Sequence, residues 1–381
     1  MKKICLITTV SITIKSFVLE TAKYLSEKCG YDVTLICSDI EKIQHLIPDN
    51  IKTISVKMSR GVNFSGFKSI KEFKKIFERE KFDMVQYATP NASFYASVAS
   101  KKAKIPVRLY CQWGIRYVGF SGIKRRIFKF LEKKVCKNST NVFAVSPKNM
   151  AFAIKEKLYP KNKAKVIGNG GTIGVDLKVY DLNLKERWRE EIRSKYQIKD
   201  SDFVYGFVGR LSKDKGAKEL ISAFQLISTK ENAKLLIVGP LESAELDEET
   251  LTLLKSNKNV ISTGLIDNAE IKKYYSALDV LVHPTYREGF GMVLQEAGAL
   301  KVPAITTNVP GASEVMVNNQ SCVLVEPKDV LSLEKAMLKL LNDKELIARL
   351  GESAFERTKE LYSRNVMLEN QRIAYEELLG E

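Results

Sequence analysis

Glu288 and Glu296 bracket the run Glu-Gly-Phe-Gly-Met-Val-Leu-Gln-Glu, which follows a strand-like stretch and ends inside a helix-like one. Gly289 and Gly291, on either side of Phe290, let backbone approach a ligand closely. A helix starting near Gly291 aims its N–H groups and positive dipole end at any phosphate lying there. Were the whole run helical, the two carboxylates would stand about 80° apart around the axis, so the loop has to aim Glu288. As an isolated pair they would read as a helix-start charge and a solvated Glu296. A second segment reverses that weighing. Residues 207–216, Phe-Val-Gly-Arg-Leu-Ser-Lys-Asp-Lys-Gly, run from a strand into a turn at Gly209 and set Arg210 and Lys215 before another helix, with Lys213 read as a solvent lysine. A guanidinium grips phosphate oxygens in a bidentate way and an ammonium adds a point charge; together they offset the charge that grows on a departing nucleoside diphosphate. Two carboxylates flanking a glycosidic bond would indicate hydrolysis, but here both belong to one short segment beside a phosphate-type loop. Transfer of a sugar from a sugar nucleotide is the better reading.

Positioning those side chains requires parallel sheets. Apolar strand candidates lie near 3–9, 31–38, 51–58, 82–89, 106–112, 141–146 and 163–170, separated by helix-length segments, the α/β pattern of a parallel sheet. A polar stretch at about 178–202 precedes a second series near 203–210, 233–240, 260–265, 280–285, 303–307 and 321–326. The expected fold is α/β with two Rossmann-like domains, residues 1–180 and 181–361. Ligands in such sheets bind beyond the carboxyl ends of strands, where Arg210 and the 286–291 turn fall, so the site is expected in the cleft between the domains. A last helical segment, 362–381, carries Val366, Leu368, Ile373, Leu378 and Leu379. Ser146-Pro147 reads as a helix start, with Met150, Ala153, Ile154 and Leu158 as its apolar face. Asp200 and Asp202 match a D-x-D metal motif superficially but precede the strand beginning at Phe203, where a polar turn is expected; no metal site is assigned. His283 ends a strand before the glutamate run and reads as structural, with a substrate contact open. His45 has no catalytic company. The six cysteines show no C-x-x-C spacing and read as buried thiols. No segment is long enough to span a bilayer, and the start reads as a first buried strand rather than a signal peptide, so the expected location is the cytoplasm.

Taken together at this separation, the 207–216 and 288–296 segments closely resemble the retaining GT-B glycosyltransferases of glycosyltransferase family four, most closely across residues 200 to 320. The resemblance implies that Arg210 and Lys215 hold the donor diphosphate, that Glu296 binds the ribose hydroxyls and that Glu288 contacts the transferred sugar, stabilising positive charge near the anomeric carbon. It implies a GT-B architecture of an acceptor-binding and a donor-binding domain, with the C-terminal helix crossing back to the first. A nucleotide-sugar donor, UDP-linked by resemblance, is implied, with neither prosthetic group nor metal. The first domain departs from the family twice. The loop after strand one, Thr8 to Lys15, lacks the glycine-rich sequence many members carry; Ser11, Thr13 and Lys15 could meet an acceptor phosphate or serve capping and solvation. The turn from Cys111 to Arg116 lacks the histidine many members have there, leaving Trp113 as a sugar-stacking face or a packed core residue and Arg116 as an acceptor-phosphate contact.

Charge is unevenly placed. Residues 1–180 hold 34 Lys and Arg against 13 Asp and Glu, leaving 27 against 32 in the remainder, within a chain of net charge +16. That asymmetry indicates an anionic partner for the first domain. In 121–137, Ile123, Ile127, Phe128, Phe130, Leu131 and Val135 form an apolar helical face among seven lysines and arginines, the pattern of a membrane-surface helix. A second candidate is 64–81, with Phe64, Phe67, Ile70, Phe73, Ile76 and Phe77. The alternative is that both helices dock on their own sheet with a solvated basic face. Three functions follow in order: a peripheral enzyme on the inner face of the membrane extending a lipid-linked saccharide, a GT-B enzyme with a soluble acceptor, and a nucleic-acid-binding protein. The last would call for base-stacking aromatics and a recognised binding motif, whereas the aromatics here fall at helix-packing spacing. The segments 167–170 and 175–176 and the basic first domain most resemble bacterial capsular, O-antigen or exopolysaccharide enzymes, which implies an undecaprenyl-diphosphate-linked acceptor.

Overall fold

The computed structural model describes residues 1–58, 65–228 and 232–380. Two parallel sheets carry the chain. The first holds β1 (Lys3–Ile7), β2 (Asp32–Cys37), β3 (Lys52–Ser55), β4 (Met84–Tyr87), β5 (Val107–Gln112), β6 (Asn141–Ala144) and β7 (Ala164–Val166) in the order β3-β2-β1-β4-β5-β6-β7. The second holds β8 (Phe203–Val208), β9 (Ala233–Val238), β10 (Val260–Ser262), β11 (Val280–His283), β12 (Ala304–Thr307) and β13 (Cys322–Val325) in the order β10-β9-β8-β11-β12-β13. Each strand candidate read from the sequence is present. The eight-residue candidate 163–170 shrinks to three residues because Gly168, Gly170 and Gly171 take φ of 50°, 94° and 106°, outside strand geometry.

Side-chain alternation explains why these strands read as continuous apolar runs. In β1, Cys5 and Ile7 join one buried cluster with Phe73, Phe77 and Val85, while Ile4 and Leu6 join another with Leu19, Leu35 and Tyr375. Both faces of the sheet are therefore covered, as a parallel sheet demands. Each sheet reverses direction once, between β1 and β4 and between β8 and β11. At such a switch the connecting loops leave on opposite faces and open a crevice at the carboxyl ends of the two strands. In the second sheet those ends are Val208 and His283.

The chain forms two compact units, Met1–Ile173 together with the segment from Asn365 onward, and Gly174–Arg364. The last helix, Arg364–Leu379, thus returns to the first unit. Its buried stripe is Met367, Leu368, Gln371, Ala374, Tyr375 and Leu379. This corrects the apolar pattern read from the sequence: Ile373 is exposed, and the inward face includes polar groups that have partners. Gln371 accepts from Thr21 Oγ1 at 2.8 Å and donates to the Thr172 carbonyl at 2.6 Å, and the Tyr375 hydroxyl donates to Gln86.

Three local readings in the first unit resolve toward structure. The helix Ser11–Phe17 begins with Asp39 Oδ1 accepting from the Ser11 amide at 2.7 Å, so Ser11 is capped from within the fold. Burial pushes the Asp39 carboxyl up, but the Ser11 bonds and Lys42 more than offset this and hold it below its usual value. Trp113 packs against Phe17 with ring centroids 5.6 Å apart. Ser146 Oγ accepts from the Asn149 amide and caps Pro147–Lys155, as the sequence indicated.

The basic helix Gly122–Asn138 divides its apolar residues. Val135 is buried and Phe128 and Leu131 are half-buried, whereas Ile123, Ile127 and Phe130 are exposed. Arg125 and Lys129 turn to Glu156, at 3.8 and 2.7 Å, while Lys124, Arg126, Lys133 and Lys134 are exposed. In the helix Ser65–Glu80, Phe73, Ile76 and Phe77 are core residues and Phe67 is exposed; Phe64 lies outside the described residues. Among the described residues no helix is long and apolar enough to cross a membrane.

Candidate active site

The switch between β8 and β11 lies wholly within the second unit, and its two loops are fastened together by backbone. After β8, Gly209 turns the chain at φ 131°, Lys213–Lys215 form a single 3-10 turn, and Gly216 takes φ 73° before the helix Ala217–Ser228. A Cβ on Gly216 would lie 2.0 Å from the Pro284 carbonyl oxygen, so only glycine lets this turn reach the end of β11. The Tyr286 amide donates to the Asp214 carbonyl at 2.9 Å, and Arg287 donates to the Asp214 carboxylate at 3.1 and 3.2 Å.

This fastening brings Lys215 and Glu288 together. Lys215 Nζ is 2.7 Å from Glu288 Oε2, and His283 Nε2 is 3.0 Å from the same oxygen. Glu288 Oε1 accepts from the Gly289 amide at 2.9 Å, so the loop does aim this carboxylate. The side chain is 17% exposed. Burial pushes the Glu288 carboxyl up, but His283 and Lys215 outweigh burial and hold it well below the usual carboxylate range. Glu288 is therefore an anion at neutral pH, in contact with a cation. His283 is 2% exposed, lies parallel to the Phe207 ring, and its Nδ1 has no hydrogen-bond partner among the described residues.

Gly311 completes this cradle. Its φ is 84°, and a Cβ there would lie 2.6 Å from the carbonyl oxygens of both Glu288 and Gly289. The Gly311 amide donates to Glu314 at 2.9 Å, which orients the Pro310-Gly311 turn against the glutamate loop.

The helix Met292–Ala299 starts directly after Gly291, which has φ 31° and provides no side-chain cap. Phe290 turns its ring inward against Tyr362, centroids 5.5 Å apart, so it offers a ligand its backbone rather than its ring. Glu296 projects from the helix's second turn. The Tyr275 hydroxyl donates to it at 2.7 Å and the Tyr180 hydroxyl also bonds it. Burial pushes the Glu296 carboxyl up, partly offset by these two hydroxyls.

The sequence-derived residues are thus distributed unequally. Lys215, Glu288, Gly289 and His283 form one connected cluster. Gly209 and Arg210 follow β8 on the same edge, but Arg210 is 58% exposed and pairs with Glu242 at 3.3 Å. Glu296 stands apart from this cluster, bonded to Tyr275 and Tyr180. Asp202 turns its carboxylate onto the Lys199 amide at 2.8 Å and closes the turn before β8. Tyr180, Tyr275 and Gly311 were not singled out in the sequence; Pro310-Gly311 was the one available signal, since such a pair marks a turn.

Comparison with known proteins gives two family matches: the model for "Glycosyl transferases group 1" matches residues 188–357 and that for "Glycosyl transferase 4-like" matches residues 3–146. A Staphylococcus aureus capsular polysaccharide biosynthesis glycosyltransferase, CapM, is 32% identical over 93% of this chain and 92% of its own. An Escherichia coli protein described as UDP-Gal:alpha-D-GlcNAc-diphosphoundecaprenol alpha-1,3-galactosyltransferase is 25% identical over 83% of this chain and 81% of its own. A crystal structure of a glycosyltransferase from Rickettsia africae superimposes with a TM-score of 0.81 at 21% identity, covering 99% of this chain and 98% of the other, a likeness of fold.

Proposed function

The chain belongs to the group 1 and 4-like glycosyl transferases of GT-B fold, and on that premise we propose that it moves a sugar from a UDP-sugar to a lipid-linked saccharide in capsule, O-antigen or exopolysaccharide synthesis. The observation that carries this reading is the contact of ionised Glu288 with Lys215 at the carboxyl ends of β8 and β11. The β8–β11 switch is where a ligand of such a sheet is expected. A nucleoside diphosphate laid there would take Lys215 and Arg210 as donors to its phosphate oxygens. Glu296, ringed by hydroxyls, is suited to accept from ribose hydroxyls.

In the proposed reaction the bond between the anomeric carbon and the diphosphate oxygen breaks, and both bonding electrons leave with the nucleoside diphosphate. Lys215 and Arg210 stabilise that growing negative charge, and the Glu288 carboxylate faces the positive charge left on the sugar. An acceptor hydroxyl then forms its bond to the anomeric carbon from the face the diphosphate leaves, retaining configuration. Its proton passes to the departing phosphate oxygen. Two cations already stand on the diphosphate side, so the reaction is read as independent of metal. The UDP donor and the diphosphate-linked acceptor draw support from the galactosyltransferase relative named above. Exposed Ile123, Ile127 and Phe130 among lysines and arginines support work at the inner face of the cell membrane.

Native mass spectrometry against a panel of sugar nucleotides, followed by incubation with short lipid-diphosphate saccharides, tests the reading. A retained nucleotide and an acceptor gaining one sugar mass are expected. Binding of no sugar nucleotide in the panel would end it.

A further inference from the structure

In the first unit, the helices Pro90–Lys102 and Gly122–Asn138 line a cavity of about 250 Å³. That lies below the roughly 300 Å³ at which pockets for whole drug-sized ligands begin, so it suits a segment of a chain. Phe94, Ile127, Phe128, Leu131 and Val135 make it largely apolar. The rest of the lining differs in kind. Ser93, in the first turn of Pro90–Lys102, is fully buried, and its Oγ has no hydrogen-bond partner among the described residues. That helix follows the carboxyl end of β4; its N-cap residue Thr89 bonds Thr9, whose Oγ1 in turn accepts from the Ala92 amide at 3.3 Å. A fully buried hydroxyl left unsatisfied in the lining points to a polar ligand group.

Two cations also line the cavity, Arg116 and Lys124. Neither has a carboxylate partner among the described residues; Arg116 rests its guanidinium 4.7 Å from the centre of the Phe128 ring, beside the apolar wall. The carboxylate in the lining, Glu132, is occupied, with Tyr110 and Gln112 donating to Oε1 at 2.9 and 2.6 Å. Burial raises its carboxyl toward the uncharged form, which relieves repulsion of an anion. Apolar walls with cations and a donor hydroxyl complement an anionic amphiphile. The helix that forms one wall also carries the exposed apolar residues Ile123 and Phe130.

We propose that this cavity binds the phosphate-proximal isoprene units and the adjoining phosphate of a polyprenyl-diphosphate acceptor. Phe94, Phe128 and Leu131 take the chain; Arg116, Lys124 and the Ser93 hydroxyl take phosphate oxygens. The occupant is a polyprenyl rather than a diacyl lipid because the cavity has room for a segment of one chain, and a polyprenyl joins its phosphate directly to a single chain. Flat, methyl-branched alkenes also fit between aromatic faces. The inference rests on the lipid-acceptor reading of the function.

Farnesyl diphosphate, a water-soluble probe of this chemistry, is titrated calorimetrically into the full chain. Inorganic pyrophosphate and dihexanoyl phosphatidylglycerol are titrated in parallel. Farnesyl diphosphate is expected to bind at least tenfold more tightly than either. Leu131→Trp, which fills the cavity, is expected to weaken it tenfold or more. Ile127→Glu, at a half-exposed position that folding does not depend on, should do the same, so a failure of the first variant to fold leaves the second decisive. Equal binding of pyrophosphate, equal binding of the diacyl lipid, or farnesyl affinity unmoved by both variants overturns the proposal. Sugar transfer to a polyprenyl-linked acceptor at wild-type KM in both variants sinks the cavity and leaves the function standing. Cavity-dependent farnesyl binding without any transfer does the reverse.

Discussion

Replacing Glu288 by Gln removes one charge and keeps the shape, and the geometry fixes what is lost. The carboxylate accepts from Lys215, His283 and the Gly289 amide. A glutamine oxygen in the place of Oε2 keeps Lys215 and His283, but as a neutral acceptor, while its NH2 then faces the Gly289 amide, a donor it cannot satisfy. A hydrogen bond to a charged group contributes about 1.5–3 kcal/mol. Lys215 is 24% exposed and regains some hydration, so a cost of about 2 kcal/mol is expected. For a unit of about 150–250 residues that corresponds to a Tm loss of roughly 4–8 °C. The pH dependence has a definite sign. The folded carboxyl lies below its unfolded value, so its contribution is fully present above about pH 4.3 and is lost as pH falls through the folded value. Differential scanning calorimetry of wild type and Glu288→Gln should show a gap at pH 7 that narrows below pH 4. Transfer at pH 7 should fall at least about a hundredfold, the scale of losing one preorganised electrostatic contact. A Tm gap absent at pH 7, or one that widens in acid, refutes the electrostatic reasoning; wild-type turnover refutes the role.

Arg210→Ala should leave Tm almost unmoved, since an exposed pair with Glu242 contributes about 0–1 kcal/mol. It should weaken UDP binding about tenfold or more by calorimetry, and unchanged affinity removes Arg210 from the site. Transfer should persist in excess EDTA; activity lost and then restored by manganese would return Asp200 and Asp202 to consideration. Replacing the exposed Lys124, Arg126, Lys133 and Lys134 by Ser should weaken sedimentation with anionic vesicles by up to about 4 kcal/mol at low salt, at about 1 kcal/mol per charge near a bilayer. The difference should shrink as ionic strength rises, and equal binding by the two proteins dismisses this helix as the anchor.

Strands were legible because sheets buried on both faces leave uninterrupted apolar runs, and the switch-point geometry then located Arg210 and the glutamate loop. Contacts that depend on how a loop folds were not legible. His283 reads as a strand end until the loop folds Glu288 back onto it. Gly216 and Gly311 look like ordinary turn glycines until Pro284 and the Glu288 carbonyl are seen to leave no room for a Cβ. The last helix misleads for a different reason. Gln371 and Tyr375 face inward because Thr21, Thr172 and Gln86 satisfy them, and a purely apolar pattern has no means of finding a satisfied polar group.

Asp39 at the start of the helix Ser11–Phe17 has a consequence for the two sheets as a pair. Both are doubly wound and each has a crevice at its reversal, so either could have evolved toward a nucleotide. In the first, the protein's own carboxylate already sits on the Ser11 amide and stays ionised; a phosphate arriving there would meet a like charge and a donor already taken. In the second, the corresponding turn presents Arg210 and Lys215. Under the proposed function, the two frameworks thus differ at this position in which sign of charge each one keeps beside its first strand.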